Sequence, residues 1–471
     1  MQDLRINVNF LKPANFFGLT SLETILESSD SQGFTAKDYD ELFDSPILFS
    51  KSDIAKFKVA NTEFIVGVYN EMGNPLSEHF AEIIKPKMMA LKNFVGGQLP
   101  VDYYIFLFYV KDFSKLEKFL IECPDFEWGN TKKALKINRE YGYSHGAVEH
   151  NNCSLFCTSA VSAEQTSFEL FDFIIHEFFH IYTPKSLHSN LIHDFDYVNP
   201  KLSAHRWLYE GVTEYFTGLI KLKTGLYDVN DFLQEFLRPK IQRGTQLKKP
   251  MSFIEFSKNA NKEPYRNVYF QFYARGPILA MLLDFEIMRL TRGKKTLREA
   301  FFKIWHEYKN TPLEEDEIIP LFVEEVHPDL QLFFERYIVG KEPLDIESGF
   351  RTVGIKYKKE VSQKVPLFRL SYVPLFQYIC IKKVDYPDVL KTGDKIHMKD
   401  WGRRGRKPFT KPDGEFLEEG EMVEVPLIRN GEDIKVSFPA KLKGGVYQHK
   451  ITVMQEMTPV QKKLFIKWVN Q

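Results

Sequence analysis

The sequence predicts an α+β multidomain chain, and three observations carry that reading. The first 60 residues hold short β-like runs such as INVNF and KFKVAN, separated by turns. The middle holds helical periods: FDFIIHEFFHIY (171–182), RWLYEGVTEYFTGLI (206–220) and a stretch from about Tyr269 to Leu290. Beyond ERYIVGKEPLDIESG (335–349) come short β-rich runs, YICIKKV, GDKIHMKD, MVEVPLIRN and EDIKVSF. The expected partition is a partial β region at 1–60, a mostly helical domain with a mixed sheet at 61–345, a small β-rich domain at 352–445, and a closing helical segment at 446–471.

Each element has a local reason. TEFIVGVYN reads as a strand, followed by a long helical stretch. VDYYIFLFYV is apolar throughout and reads as a buried strand. SHGAVEHNNCSLF (144–156) reads as a strand entered through Gly146. Residues 183–205 contain Pro184, Asn190, Asn199 and Pro200 and read as loop. TPVQKKLFIKWVN closes the chain as a helix.

Composition bounds the function. The 471 residues are 44% hydrophobic and 27% charged, enough for a sizeable core, and 42 Phe make that core Phe-rich. Zero net charge gives no general pull toward nucleic acid or membrane. Residues 351–471 carry 24 Lys+Arg against 14 Asp+Glu, which leaves 39 against 49 for the rest and supports separate domains. The basic run WGRRGRKPF is short enough to be a solvated loop rather than a nucleic-acid patch. No apolar run approaches the ~18 residues of a membrane span. The start, MQDLRINVNFL, lacks the basic-then-apolar order of a signal peptide. Cys123, Cys153, Cys157 and Cys380 read as buried thiols. Cys153 and Cys157 on one strand would stand ~13 Å apart, beyond disulfide reach. The lack of a disulfide framework favours a reducing compartment.

The chemistry concentrates in two helices. Phe171, Phe173, Ile174, Ile175, Phe178, Phe179 and Ile181 surround the 171–182 segment with apolar groups, yet His176, Glu177 and His180 sit inside it. A carboxylate buried beside two imidazoles needs compensation, and a cation provides it. Positions i and i+4 share a helix face ~6 Å apart along the axis, so His176 and His180 can hold one zinc ion. Glu177 lies about a quarter-turn away, placed to hold a water and take its proton. In RWLYEGVTEYF, Glu210 and Glu214 stand one turn apart in an apolar setting. Glu210 would be the third ligand. Glu214 would accept the second ring N–H of a ligand histidine. His145 and His150 are read as structural, and His188, His193 and His205 as solvated.

Together, HEFFH, FDYVNPKLSAHRWLYEGVTEYF, DYDELFDSPI (38–47), GAVEHNNCSLF and FYARGPILAMLLDFEI (272–287) resemble the glycyl aminopeptidase family of gluzincin metallopeptidases, over roughly residues 38–345. The resemblance implies a thermolysin-like catalytic domain, one zinc ion per chain, and removal of N-terminal residues, often Gly or Ala, from peptides. It implies that His176, His180 and Glu210 bind the metal and that Glu177 is the general base. It further implies that Tyr273 stabilises the oxyanion, while Glu149, with Gly146 and Ala147 on its strand, binds the substrate end carrying the free amine. The strand has Ala147 and Val148 where the family usually has Gly and Leu. YICIKKVDYPDVLKTGDKIHMKD, with its Gly393–Asp394 turn, resembles a PDZ core, which the family usually carries at this end. Two other functions share these residues: a thermolysin-like endopeptidase, and a non-catalytic peptide-binding protein with an inert metal site. The oligomeric state is not encoded in any motif found.

Overall fold

The computed structural model describes residues 4–112, 146–160, 170–245, 250–309, 311–367, 369–375, 378–402, 407–411 and 415–471. Cys123, His145 and the centre of the WGRRGRKPF run lie outside them. The strands are β1 (Ile6–Leu11), β2 (Phe16–Leu19), β3 (Glu23–Glu27), β4 (Ser31–Ala36), β5 (Leu48–Lys51), β6 (Ile54–Val59), β7 (Thr62–Asn70), β8 (Tyr103–Asp112) and β9 (Gly146–His150). They continue as β10 (Cys153–Ala160), β11 (Ile355–Pro366), β12 (Arg369–Leu375), β13 (Tyr378–Tyr386), β14 (Lys395–His397), β15 (Met422–Arg429), β16 (Glu432–Pro439) and β17 (Leu442–Val453). The chain divides into two compact units. One is drawn from residues 1–181, 368–401 and 424–437, the other from 182–367, 402–423 and 438–471.

The first unit opens with the expected β region. An antiparallel sheet in the order β1-β4-β3 and a β2–β5 pair gather around Leu22, Phe34 and Ala36. The five-stranded sheet that follows is mixed, in the order β6-β7-β8-β10-β9. Its centre, β8, runs parallel to both neighbours. A strand so placed is covered on both faces, which is why YYIFLFYV is apolar without alternation. The helix Ser77–Phe94 connects β7 to β8 and buries Phe80, Ile84, Met88 and Leu91 along one face. Phe80 meets Phe108 at 4.6 Å between ring centroids, and Phe108 stacks on Phe156 at 4.7 Å. This is the Phe-rich core the composition required.

Residues 146–160 differ from the single strand expected. They form a hairpin, β9 antiparallel to β10, turning at Asn151–Asn152 with Asn152 at φ +55°. Asparagine tolerates the left-handed region, so the Asn-Asn pair was itself the turn signal. β9 therefore ends the sheet order as its last strand. Cys153 is buried, Cys157 half-buried, and both are free thiols, as is buried Cys380. A second five-stranded sheet, in the order β12-β13-β14-β15-β16, lies in the C-terminal part.

The second unit is mainly helical. Helix Gln271–Leu290 is its longest, with Ile278, Leu279, Met281, Leu283, Phe285 and Ile287 all buried. Asp284 is fully buried on that helix and accepts from the backbone N–H of Leu297 (2.7 Å), the Tyr215 hydroxyl (2.7 Å) and the Gln471 amide (2.6 Å). Trp468 in turn donates to the Tyr215 oxygen at 2.9 Å. Burial raises the Asp284 pKa, and the three donors partly oppose that shift. The closing helix is Pro459–Val469, opened by a Thr458/Gln461 capping box; before it, β17 pairs antiparallel with β11.

Candidate metal and catalytic site

The HEFFH segment lies on helix Leu170–Phe179 and the turn after it. The helix forms because apolar side chains recur on its sheet-facing side. Phe178 packs on Phe64 at 5.7 Å and on Tyr104 at 4.7 Å, and Ile174, Ile175, Phe178 and Phe179 are all fully buried. Phe173 is the exception to the expected all-round burial, at 42% exposed. His176 and His180 stack edge-on with ring centroids 4.7 Å apart, as the i, i+4 spacing predicts. They are 5% and 2% exposed, and Glu177 between them is 6% exposed, which rules out a solvated helix face.

Glu149 arrives on β9, opposite Ser154 of β10. One carboxylate oxygen each of Glu149 and Glu177 and one ring nitrogen of His180 lie within 4.8 Å of one another. Beneath them the Tyr104 hydroxyl shares a short hydrogen bond with the Ser154 hydroxyl. Burial drives the Tyr104 pKa well above its ordinary value, and the nearby charges of Glu177 and Glu149 add to the effect. The phenol stays protonated there. His150, read as structural, places Nδ1 3.2 Å from the Asp44 carboxylate.

Glu210 lies in Trp207–Val212, where the expected α-helix is instead wound in wide i→i+5 turns before reverting to ordinary α geometry at Thr213–Lys223. It is 8% exposed. One donor atom each of His176, His180 and Glu210 fall within 4.8 Å of one another. Arg206, one turn before Glu210, holds Nη1 3.8 Å from its carboxylate and donates to the Tyr269 hydroxyl. Glu214 pairs with the ammonium of Lys240 at 2.5 Å. Lys240 also donates to the backbone carbonyl of Tyr273 at 3.2 Å. Neither Arg206 nor Lys240 was found from sequence. Arg206 carried a usable signal in its i, i+4 spacing to Glu210; Lys240 carried none.

His205 corrects the reading of the intervening histidines as solvated. It is 1% exposed, donates through Nε2 to the Glu315 carbonyl at 2.7 Å and accepts at Nδ1 from the Trp207 indole at 3.2 Å. These bonds fix a neutral tautomer. Burial lowers its pKa, and the Glu315 carbonyl partly opposes the shift. His188 meets Pro184 O at 2.8 Å and His193 at 3.3 Å.

Two buried imidazoles and one buried carboxylate are the borderline donor set that zinc takes in preference to magnesium or calcium, and the residues present fit it. The chain is a zinc metallopeptidase. Comparison with known proteins gives the family. The M61 glycyl aminopeptidase model matches residues 169–279, and the M61 peptidase N-terminal domain model matches residues 1–51. The chain belongs to the M61 glycyl aminopeptidase family. No curated protein matches the sequence. Among solved structures, an aminopeptidase N family protein from Idiomarina loihiensis matches 98% of this chain and 79% of its own, at 18% identity and a TM-score of 0.62, which establishes a shared fold. The M1 zinc metallopeptidase from Deinococcus radiodurans matches 73% of this chain and 64% of its own at 12% identity and a TM-score of 0.44. Yeast LTA4 hydrolase in complex with bestatin matches 72% and 47% at 12% identity and a TM-score of 0.43.

Proposed function

We propose that this chain is an aminopeptidase that removes single N-terminal residues, with a preference for small ones such as Gly and Ala. The observation that carries the reading is the placement of Glu149, whose carboxylate lies with those of Glu177 and the His180 ring in one 4.8 Å group. An exopeptidase must separate a free ammonium from a chain interior, and a half-buried carboxylate beside the metal-binding histidines does that by charge-assisted hydrogen bonding.

The roles follow from the chemistry of amide hydrolysis. Zinc, held by His176, His180 and Glu210, supplies Lewis-acid polarisation and a lowered water pKa when bound. Glu177 takes the proton of the attacking water and passes it to the departing amine. Tyr273 donates its hydroxyl to the oxygen that gains charge as the carbonyl becomes tetrahedral. Glu214 orients a ligand imidazole. Gly146 and Ala147 lend their backbone to the substrate. Their strand β9 ends its sheet, and an extended peptide can add along such an edge.

The same proposal covers the domain plan: a β region at 1–60, a thermolysin-like peptidase domain at 61–345, a PDZ-like domain at 352–445 and a closing segment at 446–471. A five-stranded sheet with a turn at Gly393 (φ +91°) supports the PDZ-like reading. So does the Arg429–Asp394 ion pair at 2.7 Å, which ties that turn to β15. Packing or gating is its proposed role.

The test is mass spectrometry of paired free and N-acetylated peptides beginning with Gly, Ala, Leu and Arg, incubated with the zinc-loaded chain and with Glu177→Gln. Stepwise loss of first residues from free peptides alone is expected, fastest for Gly and Ala. Internal cleavage of acetylated peptides would make the chain an endopeptidase. No cleavage with zinc bound would make it a peptide-binding protein.

A further inference from the structure

We infer that Lys240 is a positioning residue for Tyr273, and that it acts by replacing a hydrogen bond that Pro277 removes. The inference rests on the oxyanion role proposed above for Tyr273. In an α-helix the carbonyl of residue 273 accepts from the N–H of residue 277. Residue 277 is proline, inside helix Gln271–Leu290, so that donor does not exist. A proline ring also pushes against the carbonyl four residues before it. The first turn of this helix, which carries Tyr273, therefore lacks its usual restraint.

Lys240 supplies one. Its ammonium donates to the Tyr273 carbonyl at 3.2 Å and to the Glu214 carboxylate at 2.5 Å. The two charged side chains are 14% and 12% exposed, so the pair is held mostly away from water, where its geometry is enforced rather than averaged. Glu214 stands one turn beyond Glu210. One ammonium thus joins the helix that follows the metal-binding carboxylate to the opening turn of the helix that carries the phenol. The stem lies against Phe236, with the nitrogen 4.5 Å from the ring centroid, which leaves the side chain little freedom to swing away. A sub-ångström shift of an oxyanion donor is costly to catalysis, so a restraint on its backbone carbonyl has leverage on rate without touching substrate.

The experiment is a double-mutant cycle on the full, zinc-loaded chain: Lys240→Met, Tyr273→Phe and both together. Lys240→Arg tests rescue, and Lys240→Gln stands in should the Met variant not fold. Readouts are zinc content, thermal unfolding, kcat and KM on the best free-amino peptide, and inhibition by a phosphinic peptide that mimics the tetrahedral carbon. Tyr273→Phe should lower kcat on the order of 100-fold. Lys240→Met should lower kcat by about 10-fold at nearly constant KM and weaken the phosphinic inhibitor by a similar factor, with zinc retained. In the Tyr273→Phe background the same change should cost less than about 2-fold, and Lys240→Arg should restore most of the loss. A full, independent 10-fold loss in the double variant, or a loss explained by missing zinc, would overturn the inference and leave the role of Tyr273 intact. Wild-type kcat in Tyr273→Phe would overturn the oxyanion reading and the inference with it.

Discussion

Gly211 lies backbone to backbone against Gly276: a Cβ on Gly211 would stand 2.9 Å from the Gly276 Cα, closer than real side chains come. Gly211 follows Glu210 directly, and Gly276 lies three residues after Tyr273. Because the obstacle is main chain, nothing flexible can give way. Gly211→Ala is expected to cost about 1–3 kcal/mol of stability by overpacking. It should also weaken zinc binding, because the displaced segment carries Glu210. Thermal unfolding with zinc titration checks both effects, and an unchanged zinc affinity would show that the crossing does not position the ligand.

Glu177 and Glu210 are both buried carboxylates, but they should fail differently. Glu177→Gln keeps the donor set and is expected to bind zinc normally while losing about 100- to 10,000-fold in kcat, the usual worth of a general base. Glu210→Gln should lose zinc, with activity recovered in part by excess metal. Chelation of the unaltered chain should abolish turnover, and zinc should restore it. Metal content measured beside kcat separates the cases.

Glu149→Gln retains shape and removes charge. A charge-assisted hydrogen bond is worth about 1.5–3 kcal/mol, so cleavage of free-amino peptides should fall roughly 10- to 100-fold in kcat/KM. Acetylated peptides should be affected much less. A ratio of free to acetylated cleavage equal to that of the unaltered chain would remove Glu149 from amine recognition.

Burial lowers the His205 pKa, so the folded state favours the neutral ring. The sign follows from linkage: its contribution is complete above the unfolded value of about 6.5 and is lost as pH falls below it toward the folded value. Urea unfolding at pH 7.5 and 5.5 should show a loss of stability for the unaltered chain. His205→Asn should be less stable at the higher pH and should show a smaller drop between the two. Parallel pH dependence in both would exclude His205 as a source.

What the sequence disclosed, and what it did not, divides by range. His176, His180 and Glu177 were legible because the α-helix turns a fixed spacing into a shared face. Glu210 was legible because an acid in an apolar helix needs a reason. The hairpin at 146–160 was signalled by Asn151–Asn152, but the apolar run on either side outweighed the turn pair. Lys240 was invisible, since its partners lie 26 and 33 residues away and a lysine amid helical residues usually faces solvent. His205 was misjudged for the same reason: its principal partner is a backbone carbonyl 110 residues away, which leaves no local mark. Pro277 stood in plain view, but the lost bond acquires meaning only once a donor is found to replace it.

The wide winding of Trp207–Val212 has a consequence for how this chain can vary through insertion and deletion. A helix of that kind is an α-helix that has accommodated extra residue length while keeping both flanks in place. Deleting a single residue there would relax the segment toward ordinary α geometry and would not break it. It would, however, turn everything before the deletion by roughly 100° relative to everything after it. Glu210 would then no longer face the way Glu214 requires, although every side chain needed for the chemistry would still be present. In this stretch the count of residues is under as much constraint as their identity.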